Sequence, residues 1–272
     1  MAGFIDKLRA AQARTNSWLC VGLDPDPALL PPSVSVADFC RRIIESTADA
    51  ACAFKPNLAF FLAGGSAGIA ALEEVIRAVP ADAPVVLDCK VGDIGSTQRL
   101  YGEAAFGRWR VDAITVSPYV GEDAVLPLLE AYPGRGLYIV CRSSNPDARR
   151  FQDHPGSAPR LLDRVAQAAV GWAETHPAGA VGLVVGGTYP DDMRALREAA
   201  ARLPFLVPGF GAQGGGLEAA VRYGATVDGI GPLINASRRV IFASRGGDFA
   251  EAARQAALET RGAINRLRDS TP

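Results

Sequence analysis

Short apolar runs rich in β-branched residues alternate along the chain with longer stretches in which apolar residues recur three and four positions apart. The short runs have the length and character of buried parallel strands, and the longer ones the period of amphipathic helices that cover a sheet. Eight runs stand out, at residues 19–24, 50–55, 84–90, 113–117, 137–141, 181–186, 205–209 and 227–231. Between them lie helical patterns such as 36–49, 68–79, 160–174 and 191–203, and residues 1–16 carry Asp6, Lys7, Arg9 and Arg14 at the spacing of one further amphipathic helix. Eight strand–helix units closing on themselves predict a (β/α)8 TIM barrel, a single α/β domain over residues 1–272 with an N-terminal helix.

An open, doubly wound sheet would usually carry a glycine-rich turn after its first strand, to hold a dinucleotide pyrophosphate on backbone amides. Here the first run ends in Asp24-Pro25-Asp26-Pro27, which offers no such cradle. The two long stretches of weak pattern, 23–35 with its four prolines and 142–159, each follow a strand. Both therefore belong to the barrel face on which function is built.

Composition narrows the class of partner. Of the 272 residues 49% are hydrophobic and 21% charged, with a formal net charge of −1, which is ordinary usage for a folded domain. No dense Lys/Arg block marks a nucleic-acid or anionic-membrane surface, and no apolar run approaches the roughly 20 residues of a membrane span. The expected partner is a small molecule. Five cysteines, odd in number and without CxxC spacing, sit mostly within apolar runs, where a reduced thiol behaves as a small hydrophobe; no export signal is visible, and a cytoplasmic setting is expected. His154 and His176 are too few and too far apart for a metal cluster.

Polar residues gather at the carboxyl ends of the runs: Asp24, Lys55 with Asn57, Asp88 with Lys90 and Asp93, Ser117, Ser144 with Asn145, and Gln213. Singly, each reads as an ordinary strand-end polar group; barrel geometry brings them together. The densest group ends the apolar run Val85-Val86-Leu87 with Asp88-Cys89-Lys90-Val91-Gly92-Asp93. Alternation along a strand predicts that Asp88 and Lys90 point to the same side, into the barrel mouth. Burying such charges as a plain structural pair is costly, so a catalytic use is the stronger reading.

Asp88-x-Lys90-x-x-Asp93 followed by Ile94 and Thr97 resembles the signature of the orotidine monophosphate decarboxylases. Phe54-Lys55-Pro56-Asn57, Thr115-Val116-Ser117-Pro118-Tyr119, Ser143-Ser144-Asn145-Pro146, Pro208-Gly209-Phe210-Gly211-Ala212-Gln213-Gly214-Gly215 and Asn235-Ala236-Ser237-Arg238 are similar to one branch of that family, in the same chain order. The resemblance spans roughly residues 18–243. It departs from the branch at Val91, where Arg is usual, and at Arg239, where a small residue is usual, which leaves two adjacent arginines as candidates for one role.

The resemblance implies decarboxylation of orotidine 5'-monophosphate to UMP in pyrimidine biosynthesis, without metal or cofactor, in a homodimer with shared active sites. It assigns catalysis to Lys90, Asp88, Asp93 and Lys55, with Lys90 stabilising and then protonating the carbon 6 carbanion and Asp93 donated by the neighbouring subunit. Asp24 and Lys55 would contact the ribose, Gln213 and Arg238 the phosphate, Thr97 would assist from the partner, Ser144 would read the pyrimidine edge, and Asn57 belongs to the substrate site. Two competing readings remain. Sugar-phosphate decarboxylases and aldolases of the same superfamily use the Asp-x-Lys-x-x-Asp strand with a magnesium ion held partly by Glu on the second strand, where this chain has Lys55, a residue that repels a metal. A non-catalytic phosphoribosyl-ligand binding protein would account for Gln213 and Arg238 but has no use for a buried Lys90 between carboxylates.

Overall fold

The computed structural model describes residues 3–209 and 215–270. Helix α1 (Phe4–Thr15) precedes β1 (Leu19–Leu23), α2 (Val36–Thr47), β2 (Ala53–Pro56), α3 (Leu58–Leu62), α4 (Gly65–Ala78) and β3 (Val86–Val91). Then come α5 (Gly95–Gly102), which continues into a π-helical turn over Glu103–Arg108, β4 (Ala113–Val116), α6 (Leu126–Ala131), β5 (Gly136–Arg142), α7 (Arg149–Gln152), α8 (Leu161–Thr175) and β6 (Ala180–Val185). The chain ends with α9 (Pro190–Ala199), β7 (Phe205–Pro208), α10 (Gly215–Gly224), β8 (Leu233–Ala236), α11 (Arg238–Ile241) and α12 (Phe249–Asp269). No helix among the described residues is long and apolar enough to cross a membrane.

All strands pair in parallel, in the order β2-β1-β8-β7-β6-β5-β4-β3, and bridges at Phe54–Val85 and Asn57–Asp88 bring β2 against β3 to close the ring. This is the expected (β/α)8 barrel. The period of two sorts each strand. Leu19, Val21 and Leu23 join the large core between strands and helices, whereas Cys20 joins Ala53, Val86, Ala113, Tyr138 and Leu206 in a second cluster at the lower end of the barrel interior. Phe4, Leu8 and Ala11 of α1 pack into this second cluster, so α1 stoppers the amino-terminal end of the barrel. The outer layer follows helical period: α2, capped by Ser35 Oγ accepting from Asp38 N at 3.1 Å, buries Phe39, Cys40, Ile43 and Ile44.

Seven strands fall where the apolar runs place them, to within a few residues. The eighth does not. Residues 227–231 form a turn in which Thr226 N donates to Ile230 O (2.9 Å), Gly229 N donates to Thr226 O (3.0 Å) and Gly229 has φ +84°, and Val227 is exposed. Asp228-Gly229 is turn chemistry inside an apolar run, and the strand begins only beyond Pro232, at Leu233. The run at 50–55 likewise opens with a turn, since Ala50 N and Ala51 N both donate to Thr47 O at 3.0 Å. The segment 142–159 is not without structure: it holds a 3-10 turn at Pro146–Ala148 and the short helix α7.

Tyr138 is fully inside the barrel, edge-on to Phe4 at 5.8 Å, and its ring lies where a side chain on Gly182 would stand, since a Cβ there would be 2.7 Å away. Its hydroxyl has no hydrogen-bond partner among the described residues. An unpaired buried hydroxyl costs about 1–3 kcal/mol, and removing it keeps the ring packing. Tyr138→Phe is expected to leave the urea midpoint unchanged or raise it, by up to about 1 kcal/mol of stability; a clear loss would mean that the hydroxyl is satisfied.

Candidate active site

The inward rows that end in small apolar residues below carry charge above. Two residues up from Ala53 stands Lys55, two up from Val86 stands Asp88, and two up from Ala113 stands Thr115. Lys55 Nζ lies 2.7 Å from Asp88 Oδ2, with only 4% of the lysine side chain exposed. Lys90 Nζ donates to the other carboxylate oxygen, Asp88 Oδ1, which also accepts from Thr115 Oγ1 at 3.1 Å. One carboxylate thus joins two ammonium groups and a hydroxyl.

Asp88 and Lys90 do meet, but not through regular alternation. The β3–β4 register slips between Leu87 and Val91, and Lys90 takes a left-handed backbone, φ +46°. The amides of Cys89 and Lys90 donate to Thr115 Oγ1 at 3.0 and 2.9 Å instead of to the β4 backbone. A bulge of this kind re-aims a side chain at the rim of a barrel. Its effect is to leave Lys90 54% exposed at the mouth. The buried lysine is therefore Lys55, not Lys90 as the sequence suggested.

Burial alone would push the Asp88 carboxyl up, yet Lys55 and Lys90 outweigh it and hold the group down at about 2. For Lys55 burial acts downward, and Asp88 and then Asp24 reverse it, so the ammonium is held above its ordinary range. Both groups are charged at neutral pH.

Asp24 belongs to a second part of the site. Its Oδ2 accepts from Ser237 Oγ, while its Oδ1 is buried and has no partner among the described residues. Asp24, Asp26, Phe60, Arg238 and Phe242 line a cavity of about 260 Å³ beside the array. Arg239, next along the first turn of α11, is not among its walls. Gly22 is required here: a Cβ would stand 2.8 Å from Ser237 Cβ and 2.9 Å from Asn235 Oδ1.

Of the other expected residues, Ser144 lies just beyond β5, in contact with Gly186 and near Gly209. The Asn57 side-chain oxygen accepts from Ala59 N at 3.3 Å and caps α3, although its backbone sits against Asp88. Asp93 Oδ1 accepts from Ile94 N at 2.7 Å, and neither Asp93 nor Thr97 pairs with the lysines of its own chain among the described residues. Gln213 lies outside the described residues. Two participants lie in the family-like stretches of the sequence but were given no role there: Thr115, a hydroxyl inside an apolar run, and Ser237, which holds Asp24. His154 is exposed and His176 ends α8, and no group of three or more potential metal ligands occurs among the described residues.

A (β/α)8 barrel with a lysine–aspartate–lysine array at the carboxyl ends of β2 and β3 is the architecture of a barrel enzyme that works with fixed charge. The chain belongs to the orotidine 5'-phosphate decarboxylase / HUMPS family, whose model matches residues 17–256. It is 46% identical over 271 residues to the orotidine 5'-phosphate decarboxylase of Cupriavidus metallidurans, a match covering 97% of this chain and 98% of that protein. Among solved structures, OMP decarboxylase of Leishmania donovani superposes with a TM-score of 0.84 at 39% identity, covering 99% of this chain and all (100%) of that one. UMP synthase from the same organism gives 0.87 at 41% identity, covering 99% of this chain and 57% of that one.

The depressed Asp88 carboxyl has a stability consequence. A group at about 2 in the folded state and near 3.8 in the unfolded chain contributes stability that is full above about pH 4 and is lost as pH falls through about 2. The stability of wild type minus that of Asp88→Asn, read from urea unfolding across this range, is expected to fall by on the order of 2 kcal/mol and to vanish at the acid end. A difference independent of pH would contradict the charge array as the cause.

Proposed function

We propose that the chain decarboxylates orotidine 5'-monophosphate to UMP in pyrimidine biosynthesis, as a carboxy-lyase that uses neither metal nor cofactor. The observation that carries this reading is the Lys55–Asp88–Lys90 array, set beside a cavity that holds Asp24 and Arg238. Loss of carbon dioxide leaves the electron pair of the broken bond on carbon 6 of the pyrimidine, with no adjacent carbonyl to delocalise it. Lys90 supplies positive charge there and then its proton, forming the carbon–hydrogen bond of UMP; solvent restores the ammonium. Fixed charge acting where charge develops is the strongest device available for such a step. Asp88 faces the departing carboxylate and orients Lys90, and Lys55 keeps Asp88 ionised.

Arg238 is the better placed of the two arginines for the phosphate, since it shares its cavity with Asp24 while Arg239 does not line it. Its guanidinium forms paired, charge-assisted hydrogen bonds with phosphate oxygens. Gln213 completes the phosphate site in this reading, Asp24 and Lys55 take the ribose hydroxyls, and Ser144 takes the pyrimidine edge. The metal-dependent aldolase reading of the same superfamily is disfavoured at Lys55, whose ammonium lies 2.7 Å from the carboxylate that would have to help bind a cation. Free, largely buried thiols, with burial pushing Cys20 and Cys141 up to about 12, support a reducing, cytoplasmic setting.

The protein acts as a two-fold dimer in this proposal, with Asp93 and Thr97 completing the partner's site. Ile94, Leu100 and Tyr101 beside them, and Tyr119 and Val120 after the neighbouring strand β4, are exposed apolar side chains of the kind a partner covers. Asp93 has no lysine partner in its own chain among the described residues, which leaves its carboxylate available to another.

The direct test follows the ultraviolet absorbance of orotidine monophosphate, with and without a chelator. Wild type is expected to consume it equally in both. Lys90→Ala is expected to lose several orders of magnitude in kcat while remaining folded and still binding UMP, because Lys90 acts chiefly in the transition state; activity within tenfold of wild type would sink the assignment. For the shared site, mixing inactive Asp93→Ala with inactive Lys90→Ala is expected to restore activity, since both lesions can fall in one site of a mixed dimer and leave the other intact. A stable mixed dimer as dead as its parents would refute the sharing.

A further inference from the structure

The end of β5 carries a buried arginine that the chemistry above does not use. Arg142 is 1% exposed, and its guanidinium reaches in two directions: Nη1 donates to Asp153 Oδ1 at 2.8 Å, and Nε stands 2.9 Å from Asp192 Oδ2 as an ion pair whose N–H makes no hydrogen bond among the described residues. Its flat face stacks 3.8 Å above the ring of Tyr189. Asp192 belongs to the first turn of α9 and is held on its other oxygen by Arg160 Nη1 at 2.8 Å, with Arg160 tied in turn to Asp163 of α8. Asp153 closes the loop that leaves β5 and returns through α7. Arg142 therefore pins the far end of that loop to its root, and the root to the next unit of the barrel.

A buried guanidinium between carboxylates is seldom the most stabilising solution, since apolar replacements of equal volume often do as well; what such a group provides is a fixed geometry. The residues held in place are those flanking Ser144. Ser143 N donates to Gln152 Oε1 at 3.1 Å, and Gln152 Nε2 donates back to Ser143 Oγ at 3.4 Å. On the other side Tyr189 Oη donates to Asn145 O at 3.4 Å. Beneath, Gly186 N donates to Arg142 O at 2.7 Å, and Gly186 must be glycine because a Cβ would stand 2.9 Å from Ser144 N. Ser144 Oγ itself has no hydrogen-bond partner among the described residues. Its backbone is fixed on three sides while its hydroxyl is left unspent.

We propose that Arg142, clamped between Asp153 and Asp192, is a positioning residue that acts through Ser144 to fix how the site recognises the pyrimidine ring of its nucleotide. The proposal rests on the reading that Ser144 takes the pyrimidine edge, and it adds to that reading the group that sets the serine. Asp192 and Tyr189, from the next βα unit, and Asp153, from the end of the loop, are the parts of the clamp.

The experiment compares, by direct calorimetric titration, the binding of UMP with that of ribose 5-phosphate, which presents the same sugar and phosphate without a base, to wild type, Asp153→Asn and Arg142→Lys, each with Ser144 intact and with Ser144→Ala. Asp153→Asn keeps the side-chain shape and leaves Arg142 its ion pair with Asp192, so it tests the clamp even if the lysine variant does not fold; lysine cannot span both carboxylates. Asp153→Asn is expected to weaken UMP roughly tenfold, about the loss of one good hydrogen bond, and to leave ribose 5-phosphate within twofold of wild type. With Ser144→Ala present, the same substitution is expected to have no further effect on UMP. Equal weakening of both ligands, no weakening of either, or a full additional loss on top of Ser144→Ala each overturns the proposal. If Ser144→Ala alone leaves UMP unchanged, the pyrimidine role of Ser144 falls and the proposal with it. If wild type fails to decarboxylate orotidine monophosphate, it is the functional reading that falls, and the binding comparison, which needs no turnover, separates that failure from this one.

Discussion

Lys55 is an ammonium group with almost no contact with water, and the upper half of the barrel is arranged around the need to neutralise it. Taking such a charge out of water costs several kcal/mol, recovered only if a counter-charge is close and its remaining oxygens are satisfied. Asp88 meets the first condition at 2.7 Å, and Thr115 and Lys90 meet the second by binding its other oxygen. The requirement propagates. Thr115 can reach the carboxylate only because it also collects the amides of Cys89 and Lys90, which frees β3 from regular pairing and turns Lys90 toward the mouth. Asp24, the second acidic influence on Lys55, is fixed by Ser237 from the end of β8, next to a glycine that admits that contact. Four strands thus converge on one buried charge.

The two ends of the barrel divide the labour accordingly. Below, the inward rows are Cys20, Ala53, Val86, Ala113 and Tyr138, closed off by α1, so the ring is dry and filled. Above, the same rows present Lys55, Asp88 and Thr115, and beyond the strand ends stand Ser144, on the loop after β5, and Arg238, at the start of α11. A side chain on a strand is held more firmly than one on a loop, and the three charges of the array occupy strands. The loop after β5 is an exception that supports the rule, since a network of ion pairs rooted in the buried Arg142 ties it down.

Most of the architecture was legible because the barrel obeys two periods. Strands with a buried apolar face and helices with an apolar stripe announce themselves, and seven of eight strands fall where the runs place them. The eighth was misplaced because Val227 and Ile230 look apolar while Asp228-Gly229 between them makes a turn, and turn chemistry overrides hydrophobicity where the two disagree. At the site, Lys55, Asp88 and Lys90 were legible as charges at strand ends. Their burial was not, because alternation assumes a regular strand, and a bulge enforced by a hydroxyl on the neighbouring strand is a tertiary event. Thr115 and Arg142 were passed over for a related reason. Thr115 reads as one more strand position inside an apolar run and Arg142, just past the end of its run, as the start of a loop, and only the partners they meet across the fold, Asp88 for one and Asp153 with Asp192 for the other, reveal their parts.

The bulge also explains why the site holds two lysines that are not equivalent. A group that must lose a proton and regain it needs access to solvent, whereas a group that must hold a neighbouring carboxylate ionised works best away from water, where its field is least screened. Lys55 is sealed and Lys90 is 54% exposed, so one side of Asp88 is bound by a charge shielded from water and the other by a charge in contact with it, as the proposed proton donor requires. A regular strand would have sent Lys90 inward with the same alternation that buries Asp88, and two ammonium groups would then have competed for one dry carboxylate. The left-handed conformation at Lys90 is costly for a non-glycine residue, and conformations of this kind persist where the surroundings over-determine them. Here Thr115 is the over-determining group, since its hydroxyl takes both amides of the bulge and gives its own proton to Asp88. The strain at Lys90 and the order of the array are consequences of the same three hydrogen bonds.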